Sequence, residues 1–186
     1  MMRKALVFLL LLFPLGALAQ GEAAAAKYFH GLALVDQNGR TVDLYDDVMK
    51  GHTVVINSFF ASCQASCSVM AGTYQHLQTR FAARVGKDVR LVSITVDPAH
   101  DTPAALKAYA ARMKAADGWL FLTGSKEQVD TALTKLGLAV AAREDHMNLM
   151  LVGNLKTGLW KKVFGLAKPE EIETAVRSVI EDKGAA

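Results

Sequence analysis

The sequence has only two cysteines among its 186 residues, Cys63 and Cys67. Small exported proteins that depend on disulfides for stability carry a framework of several pairs, so a single pair excludes that class. A disulfide between these two cysteines would close a short loop and contribute about 2 kcal/mol, near the low end for disulfides. We therefore expect the pair to serve chemistry more than stability.

The sequence also lacks an apolar run of the roughly 20 residues that a membrane-spanning helix needs. Its longest such run near the N-terminus, Ala5–Leu18, has 14 residues and follows two basic residues. The run ends at Ala17-Leu18-Ala19, a small-residue pattern typical of a signal-peptide cleavage site. We expect residues 1–19 to be a signal peptide, cleaved after Ala19 for export to the periplasm. An uncleaved membrane anchor is the alternative.

No dense run of positive charge is present. The formal net charge is +3, and loss of the two cations in residues 1–19 would lower it to +1. The remaining lysines and arginines are scattered along the chain, whereas nucleic-acid-binding proteins concentrate them. This pattern excludes a nucleic-acid partner.

Both cysteines lie where a strand is predicted to pass into a helix. Thr53–Phe60 is short, β-branched and apolar, as in a strand covered on both faces. From Cys67 onward, apolar residues recur every three or four positions and predict a helix with Met70, Tyr74, Leu77 and Phe81 inward. A helix start lowers a cysteine pKa from about 8.5, and the thiolate is the nucleophilic and metal-binding form.

The remaining pattern predicts a thioredoxin-like α/β fold over residues 28–186, after a flexible N-terminus at 20–27. We expect a central mixed sheet flanked by helices, an N-terminal β-hairpin covering one side of the sheet, and an inserted strand-helix unit. The predicted elements are a hairpin at 32–44, a parallel strand at 88–96, a helix from Thr102-Pro103, a strand at 119–123, a helix capped by Ser125, a closing hairpin at 147–164 and a helix from Pro169.

A metal ion shared by two thiolates would take a further ligand, and histidines are the candidates. His76 is predicted on the far side of the cysteine helix, and His30 and His52 at the end of the sheet away from the cysteines. His100 follows a parallel strand, where α/β sites gather, and His146 precedes the closing hairpin. An ordinary thioredoxin has a cis proline at that last point. The only prolines here are Pro14, Pro98, Pro103 and Pro169.

These features resemble the Sco (SenC/PrrC) copper chaperones, thioredoxin-like proteins that help assemble the copper centre of cytochrome oxidase. The resemblance spans most of the chain after residue 19. It rests on Cys63-x-x-x-Cys67 after an apolar strand, on the Thr95–Pro98 and Asp101–Pro103 segments, and on Asp145-His146.

The resemblance implies that Cys63, Cys67 and His146 bind copper. Family members usually have a proline after each cysteine, where this chain has Gln64 and Ser68. Two thiolates and an imidazole form a soft ligand set that suits Cu(I), and copper also stands near the top of the affinity order of divalent metals, so we expect Cu(I), Cu(II) or both. Zinc also binds such a set with an open fourth position.

Other residue types near these segments have simpler interpretations. Asp145 is either an acceptor that orients His146 or a solvated loop acid. Met70, Met147 and Met150 fall in apolar segments, which favours core packing over thioether ligation. We interpret Asp97 and Asp101 as turn and cap residues.

Three functions remain open on these grounds. The first is a periplasmic metallochaperone that carries one copper ion and transfers it to a protein such as a cytochrome oxidase subunit. Oxidation of Cys63 and Cys67 to a disulfide would prevent copper binding, and a thiol reductant would restore it. The second is a thiol-disulfide oxidoreductase in which Cys63 attacks and Cys67 resolves. The third is a module that senses copper or redox state.

Overall fold

The computed structural model describes residues 16–63, 66–142, 145 and 148–184. The helices are α1 (Gly16–Phe29), α2 (Ser66–Arg80), α3 (Pro103–Arg112), α4 (Lys126–Leu136) and α5 (Pro169–Ile180). The strands are β1 (Ala33–Asp36), β2 (Thr41–Asp43), β3 (Thr53–Phe59), β4 (Val89–Thr95), β5 (Trp119–Thr123), β6 (Leu149–Asn154) and β7 (Trp160–Phe164). A π-helical segment, Leu44–Met49, joins β2 to β3.

The strands form a seven-stranded mixed sheet in the order β2-β1-β5-β4-β3-β6-β7. β3 pairs in parallel with β4, and β4 with β5, as expected for βαβ crossovers. The β6–β7 hairpin adds to the other side of β3 in antiparallel register. All seven residues of β3 are buried, which confirms the predicted central strand.

Each face of the sheet supports its own hydrophobic core. Val54 and Ile56 of β3 face one core, and Val55 faces the other, because successive side chains of a strand point to opposite faces. The π-helical segment and α4 pack on the first face. α2, α3 and α5 pack on the second face, so the helix that carries Cys67 lies on that side of the sheet.

The predicted helix starts and inward faces are largely confirmed. Thr102 caps α3 by accepting a hydrogen bond from Ala105 N, and Pro103 is the first helical residue. Ser125 Oγ accepts from Gln128 N at the start of α4. The sequence Ser125-Lys126-Glu127-Gln128 predicts a capping box, but its second hydrogen bond is not formed, because Gln128 Oε1 has no hydrogen-bond partner among the described residues. The inward residues of α2 are buried as predicted: Met70, Tyr74, Leu77 and Phe81.

The N-terminal hairpin is present, but it extends the sheet and does not cover a face as predicted. Val35 and Asp36 of β1 pair with Thr123 and Leu122 of β5 in antiparallel register. Edge pairing satisfies the backbone N–H and C=O groups of β1, which packing on a sheet face would leave without ladder partners. The prediction of a covering hairpin is therefore wrong in its placement.

A helix occupies the stretch for which the sequence predicts a flexible N-terminus. α1 continues through residues 20–27, where four consecutive alanines have high helix propensity. Ala25 and Ala26 pack against the first core, and the Lys135 ammonium of α4 lies 5.0 Å from the Tyr28 ring centroid. These contacts anchor the end of α1. Among the described helices, none has both the length and the apolar character required to cross a membrane.

Asp36 anchors the turn of the N-terminal hairpin from a fully buried position. Its Oδ1 accepts hydrogen bonds from Asn38 N and Arg40 N, and its Oδ2 lies 2.7 Å from Arg40 Nη2. Burial raises the pKa of Asp36, but the hydrogen bonds and charge of Arg40 together with the Asn38 bond outweigh it, so the net pKa is lowered. The folded state therefore favours the ionised carboxylate.

We expect Asp36→Asn to lower the free energy of unfolding by about 1–3 kcal/mol at pH 7, the range for hydrogen bonds to a charged group. Because the folded pKa is depressed, the contribution is present above the unfolded pKa of about 4 and is lost as the pH falls through the folded pKa. Urea unfolding at pH 7 and pH 3 measures this difference. The control is Asp130→Asn, whose partner Lys126 lies on an exposed helix face. An equal loss for Asp36→Asn at both pH values would contradict the account.

Candidate metal centre

Cys63 lies in the loop that joins the carboxyl end of β3 to α2. Its N–H donates to Phe60 O at 3.2 Å, which closes a turn, and Val96 N donates to Phe59 O at 2.8 Å just before that turn. The residue is half-buried, and it is not a free thiol in the structure. The strand-to-helix placement predicted for Cys63 is confirmed.

Two of the three predicted ligands lie partly or wholly outside the described residues. Cys67 is the second residue of α2, but its side chain is not described. His146 and Met147 are also outside the described residues. The ligand set Cys63, Cys67 and His146 therefore stays a prediction.

The described framework nevertheless brings the segments next to the predicted ligands together through Gly165. Gly165 N donates to Asn148 O at 2.8 Å, and Thr73 Oγ1 of α2 donates to Gly165 O at 3.2 Å. A Cβ on Gly165 would lie only 2.1 Å from Met70 Sδ, so the absence of a side chain allows this close approach. Asn148 is two residues after His146, and Met70 is one helical turn after Cys67. The chain at Asn148 is thus joined through Gly165 to Thr73, in the middle of the cysteine helix.

α2 itself is held firmly on the sheet. The Tyr74 hydroxyl donates to Val55 O of β3 at 3.2 Å, and its ring stacks on Trp119 at a centroid distance of 5.3 Å. Trp119 Nε1 donates to Ser93 Oγ, which donates in turn to Asn57 Oδ1. Burial raises the pKa of Tyr74 well above its ordinary value, so the phenol remains a neutral donor. The helix that carries Cys67 therefore rests on a buried, hydrogen-bonded support.

The other histidines have separate partners. His100 follows β4, as predicted, and its Nδ1 lies 2.8 Å from Asp97 Oδ1. His76 Nε2 lies 3.7 Å from a Glu173 carboxylate oxygen on α5. His52 immediately precedes β3, at the end opposite Cys63, where burial and the nearby Arg90 lower its pKa.

The position predicted for His30 is wrong. β1 runs antiparallel to β5, so the start of β1 lies at the carboxyl end of β5, the same end of the sheet as Cys63. Three strand spacings of about 4.8 Å still separate β1 from β3. His30 therefore shares an edge with Cys63 but lies far from it along that edge.

In the described part of the chain, His30, Asp43 and Asp46 form a group with potential metal-ligand atoms within 4.8 Å of one another. His30 Nδ1 lies 2.9 Å from Asp46 Oδ2 and 4.0 Å from Asp43 Oδ2. Asp43 already accepts hydrogen bonds from three N–H groups, those of Gly31, Tyr45 and Asp46. The group is explained as the N-cap of the π-helical segment with an exposed ion pair.

Asp101 has a role that the sequence interpretation missed. It is only 3% exposed, and its Oδ2 accepts hydrogen bonds from Thr95 Oγ1 at 2.5 Å and from Ala61 N at 3.0 Å. Burial raises the pKa of Asp101, and the bonds from Thr95 and Ala61 offset part of that rise. The interpretation as a simple turn or cap residue is therefore incomplete. A sequence signal was available, since Thr102 already supplies the cap of α3.

Comparisons with known proteins agree with the predicted family and fold. The family described as SCO1/SenC matches residues 20–181. A Stutzerimonas stutzeri protein named as a candidate copper-binding protein is 33% identical over 131 residues, which cover 66% of this chain and 62% of that protein. The chain spans between 56% and 62% of the length of the curated relatives it matches.

Solved structures give the same result for the fold. A SCO1/SenC family lipoprotein from Bacillus anthracis str. Ames is similar with a TM-score of 0.67 and 26% identity, over 80% of this chain and 92% of that one. A second similar structure is that of BsSco, which is described as having a disulfide switch and as a member of the Sco family of cytochrome c oxidase assembly proteins. Its TM-score is 0.65 at 28% identity, over 79% of this chain and 90% of that one. These similarities confirm the predicted thioredoxin-like fold.

Proposed function

We propose that this chain, which belongs to the SCO1/SenC family, is an exported copper carrier and takes part in cytochrome c oxidase assembly. The relative from Stutzerimonas stutzeri is named as a candidate copper-binding protein, and BsSco is described as a member of a family of cytochrome c oxidase assembly proteins. The observation that carries the proposal is the bridge through Gly165, which joins Asn148, two residues after His146, to Thr73 in the middle of the cysteine helix.

Copper is the cargo in this proposal, held by Cys63, Cys67 and His146. Thiolate and imidazole ligands form a soft set that favours Cu(I), and the start of α2 favours the thiolate form of a nearby cysteine. Oxygen ligands, which magnesium and calcium prefer, are absent from the proposed set. The ligands therefore select a thiophilic metal.

Oxidation of the cysteines would control whether copper is bound. When Cys63 and Cys67 form a disulfide, two electrons and the thiol protons pass to an oxidant and two of the three ligands disappear. A dithiol reductant returns the electrons, restores both thiols and is itself oxidised to a disulfide. Copper then passes to a recipient by stepwise ligand exchange, and we propose a copper-receiving oxidase subunit as that recipient.

The compartment follows from the same reasoning. We propose that residues 1–19 direct export and are cleaved after Ala19, which places the protein in the periplasm, where disulfides persist. The related protein of Bacillus anthracis is described as a lipoprotein, a class of exported protein. This chain has no cysteine near residue 19 to receive a lipid. We therefore propose a periplasmic form without an attached lipid.

Copper titration of the protein in two redox states tests the proposal. We expect the reduced protein to bind one Cu(I) per chain and the disulfide form to lose nearly all of that affinity, because two ligands are gone. A parallel titration with Zn(II) tests the metal preference, and we expect Cu(I) to displace zinc. Equal copper affinity in both redox states, or none in the reduced state, would contradict the proposal.

Thiol-disulfide exchange is a second candidate, favoured by the disulfide switch described for BsSco. In this reaction, the Cys63 thiolate attacks a partner disulfide and Cys67 resolves the mixed disulfide, so the partner is reduced and this chain is oxidised. A Cys67→Ser variant would then accumulate a mixed disulfide through Cys63. Absence of any trapped mixed disulfide when Cys67→Ser is incubated with a disulfide-bonded model peptide and with periplasmic extract would count against this candidate.

A further inference from the structure

The Asp101 carboxylate links two distant parts of the chain beside Cys63. It belongs to the loop between β4 and α3, and it accepts the Ala61 N–H across 40 residues of sequence. Thr95 Oγ1 donates to the same oxygen and also accepts from Asp97 N at 2.9 Å, so its hydroxyl is oriented toward Asp101. With 3% exposure, Asp101 has little contact with water. Its hydrogen bonds are therefore made in a sheltered environment, where they are strong.

The Ala61 N–H lies inside the turn that carries Cys63. Phe60 O accepts from Cys63 N, which makes Ala61 the second residue of a four-residue turn. Before the turn, Phe59 O accepts from Val96 N of the neighbouring chain segment. Thus a bond to Asp101 fastens the turn in its middle, between the end of β3 and the half-buried Cys63.

We propose that Asp101 is a positioning residue for Cys63. By holding the Ala61 N–H, it fixes the turn Phe60–Cys63 and so limits where the Cys63 sulfur can lie relative to the start of α2. The inference deepens the proposed function, on which its copper readout rests. The task requires an acceptor oxygen at this point, and Asp101 Oδ2 supplies it to both the Ala61 N–H and the Thr95 hydroxyl.

Two substitutions separate the hydrogen bond from the charge. Asp101→Asn removes the charge but keeps an oxygen that can accept the Ala61 N–H. Asp101→Ala removes both. The matched control is Thr102→Ala, which deletes the adjacent N-cap of α3 and destabilises that helix without touching Ala61. Should the alanine variant fail to fold, Asp101→Ser replaces it, because its side chain is too short to reach Ala61.

The expected copper result is a roughly tenfold weaker Cu(I) affinity for reduced Asp101→Ala, the size that the loss of one hydrogen bond implies. Asp101→Asn should stay close to the original protein, and Thr102→Ala should not change the affinity. Equal weakening by Asp101→Ala and Thr102→Ala would overturn the proposal, because it would mean that general destabilisation is the cause.

Two readouts do not depend on copper. Amide hydrogen exchange at Ala61 should be at least about tenfold faster in Asp101→Ala than in Asp101→Asn, because the acceptor is gone. The rate of Cys63 alkylation against pH, measured in the reduced protein, should differ between these two variants as well. If the original protein bound no copper, the proposed function would be wrong. Amide exchange and alkylation would still test whether Asp101 positions Cys63. Identical exchange and alkylation in the two variants would overturn that positioning role.

Discussion

Replacing both cysteines by serine is expected to abolish copper binding at micromolar protein. Structural zinc sites in small domains gain about 10–16 kcal/mol from four ligands, or about 3 kcal/mol each, and we apply the same scale to copper. Each thiolate lost should thus cost roughly a hundredfold in affinity, and Cys63→Ser with Cys67→Ser roughly ten-thousandfold. Competition with a Cu(I) chelator of known affinity measures the change. The hydroxyls are not thiolates, so neither serine replaces a soft ligand.

The matched comparison is between the two histidines that the sequence leaves as candidates for the third ligand. His146→Ala should weaken Cu(I) binding roughly a hundredfold, by the same reasoning for one ligand. His100→Ala should leave the affinity unchanged, because the described partner of His100 is the Asp97 carboxylate. If His100→Ala weakened binding and His146→Ala did not, the third ligand would be His100 and the predicted set would be wrong.

Gly165→Val is expected to impair both stability and copper binding. A Cβ at this position would lie 2.1 Å from Met70 Sδ, 2.6 Å from Met70 Cε and 3.3 Å from Met150 Cγ. Met70 is buried, so it can move only by disturbing the core, and overpacking of this kind costs about 1–3 kcal/mol. Displacement of Gly165 also breaks the link between Asn148 and α2. We expect roughly tenfold weaker Cu(I) binding, about the worth of one such bond.

Urea unfolding and the chelator competition together measure these two effects. Gly72→Ala in α2 is the control, because a Cβ there meets nothing within 4 Å and alanine favours the helix by about 1 kcal/mol. The double variant Gly165→Val with Met70→Ala should be less destabilised than the sum of its single variants, since the smaller side chain relieves the overlap. Strict additivity would show that Met70 is not the obstacle.

Local patterns in the sequence were sufficient to predict most of the framework. The spacing of Met70, Tyr74 and Leu77 predicted the inward face of α2, because helix periodicity depends only on nearby residues. The β-branched run at Thr53–Phe59 predicted the central strand for the same reason. The helix starts at Pro103 and Pro169 could also be predicted, because proline is tolerated in the first helical turn.

Features that depend on distant partners could not be predicted in this way. The place of β1 between β2 and β5 depends on pairing with β5, which is more than 80 residues away. α1 is stabilised where Ala25 and Ala26 pack against the first core, and this long-range contact cannot be predicted from the local sequence. The bond between Asp101 and Ala61 crosses 40 residues. The ligand role of His146 rests on the family resemblance, because spacing alone left His100 as an equal candidate.

X-ray absorption spectroscopy of the reduced protein loaded with one equivalent of Cu(I) tests the central claim most directly, because it identifies the atoms bound to the metal. The account predicts two sulfur ligands and one nitrogen ligand, with the nitrogen contribution lost in His146→Ala and retained in His100→Ala. A copper site with fewer than two sulfur ligands, or one whose nitrogen contribution survives the loss of His146, would contradict it.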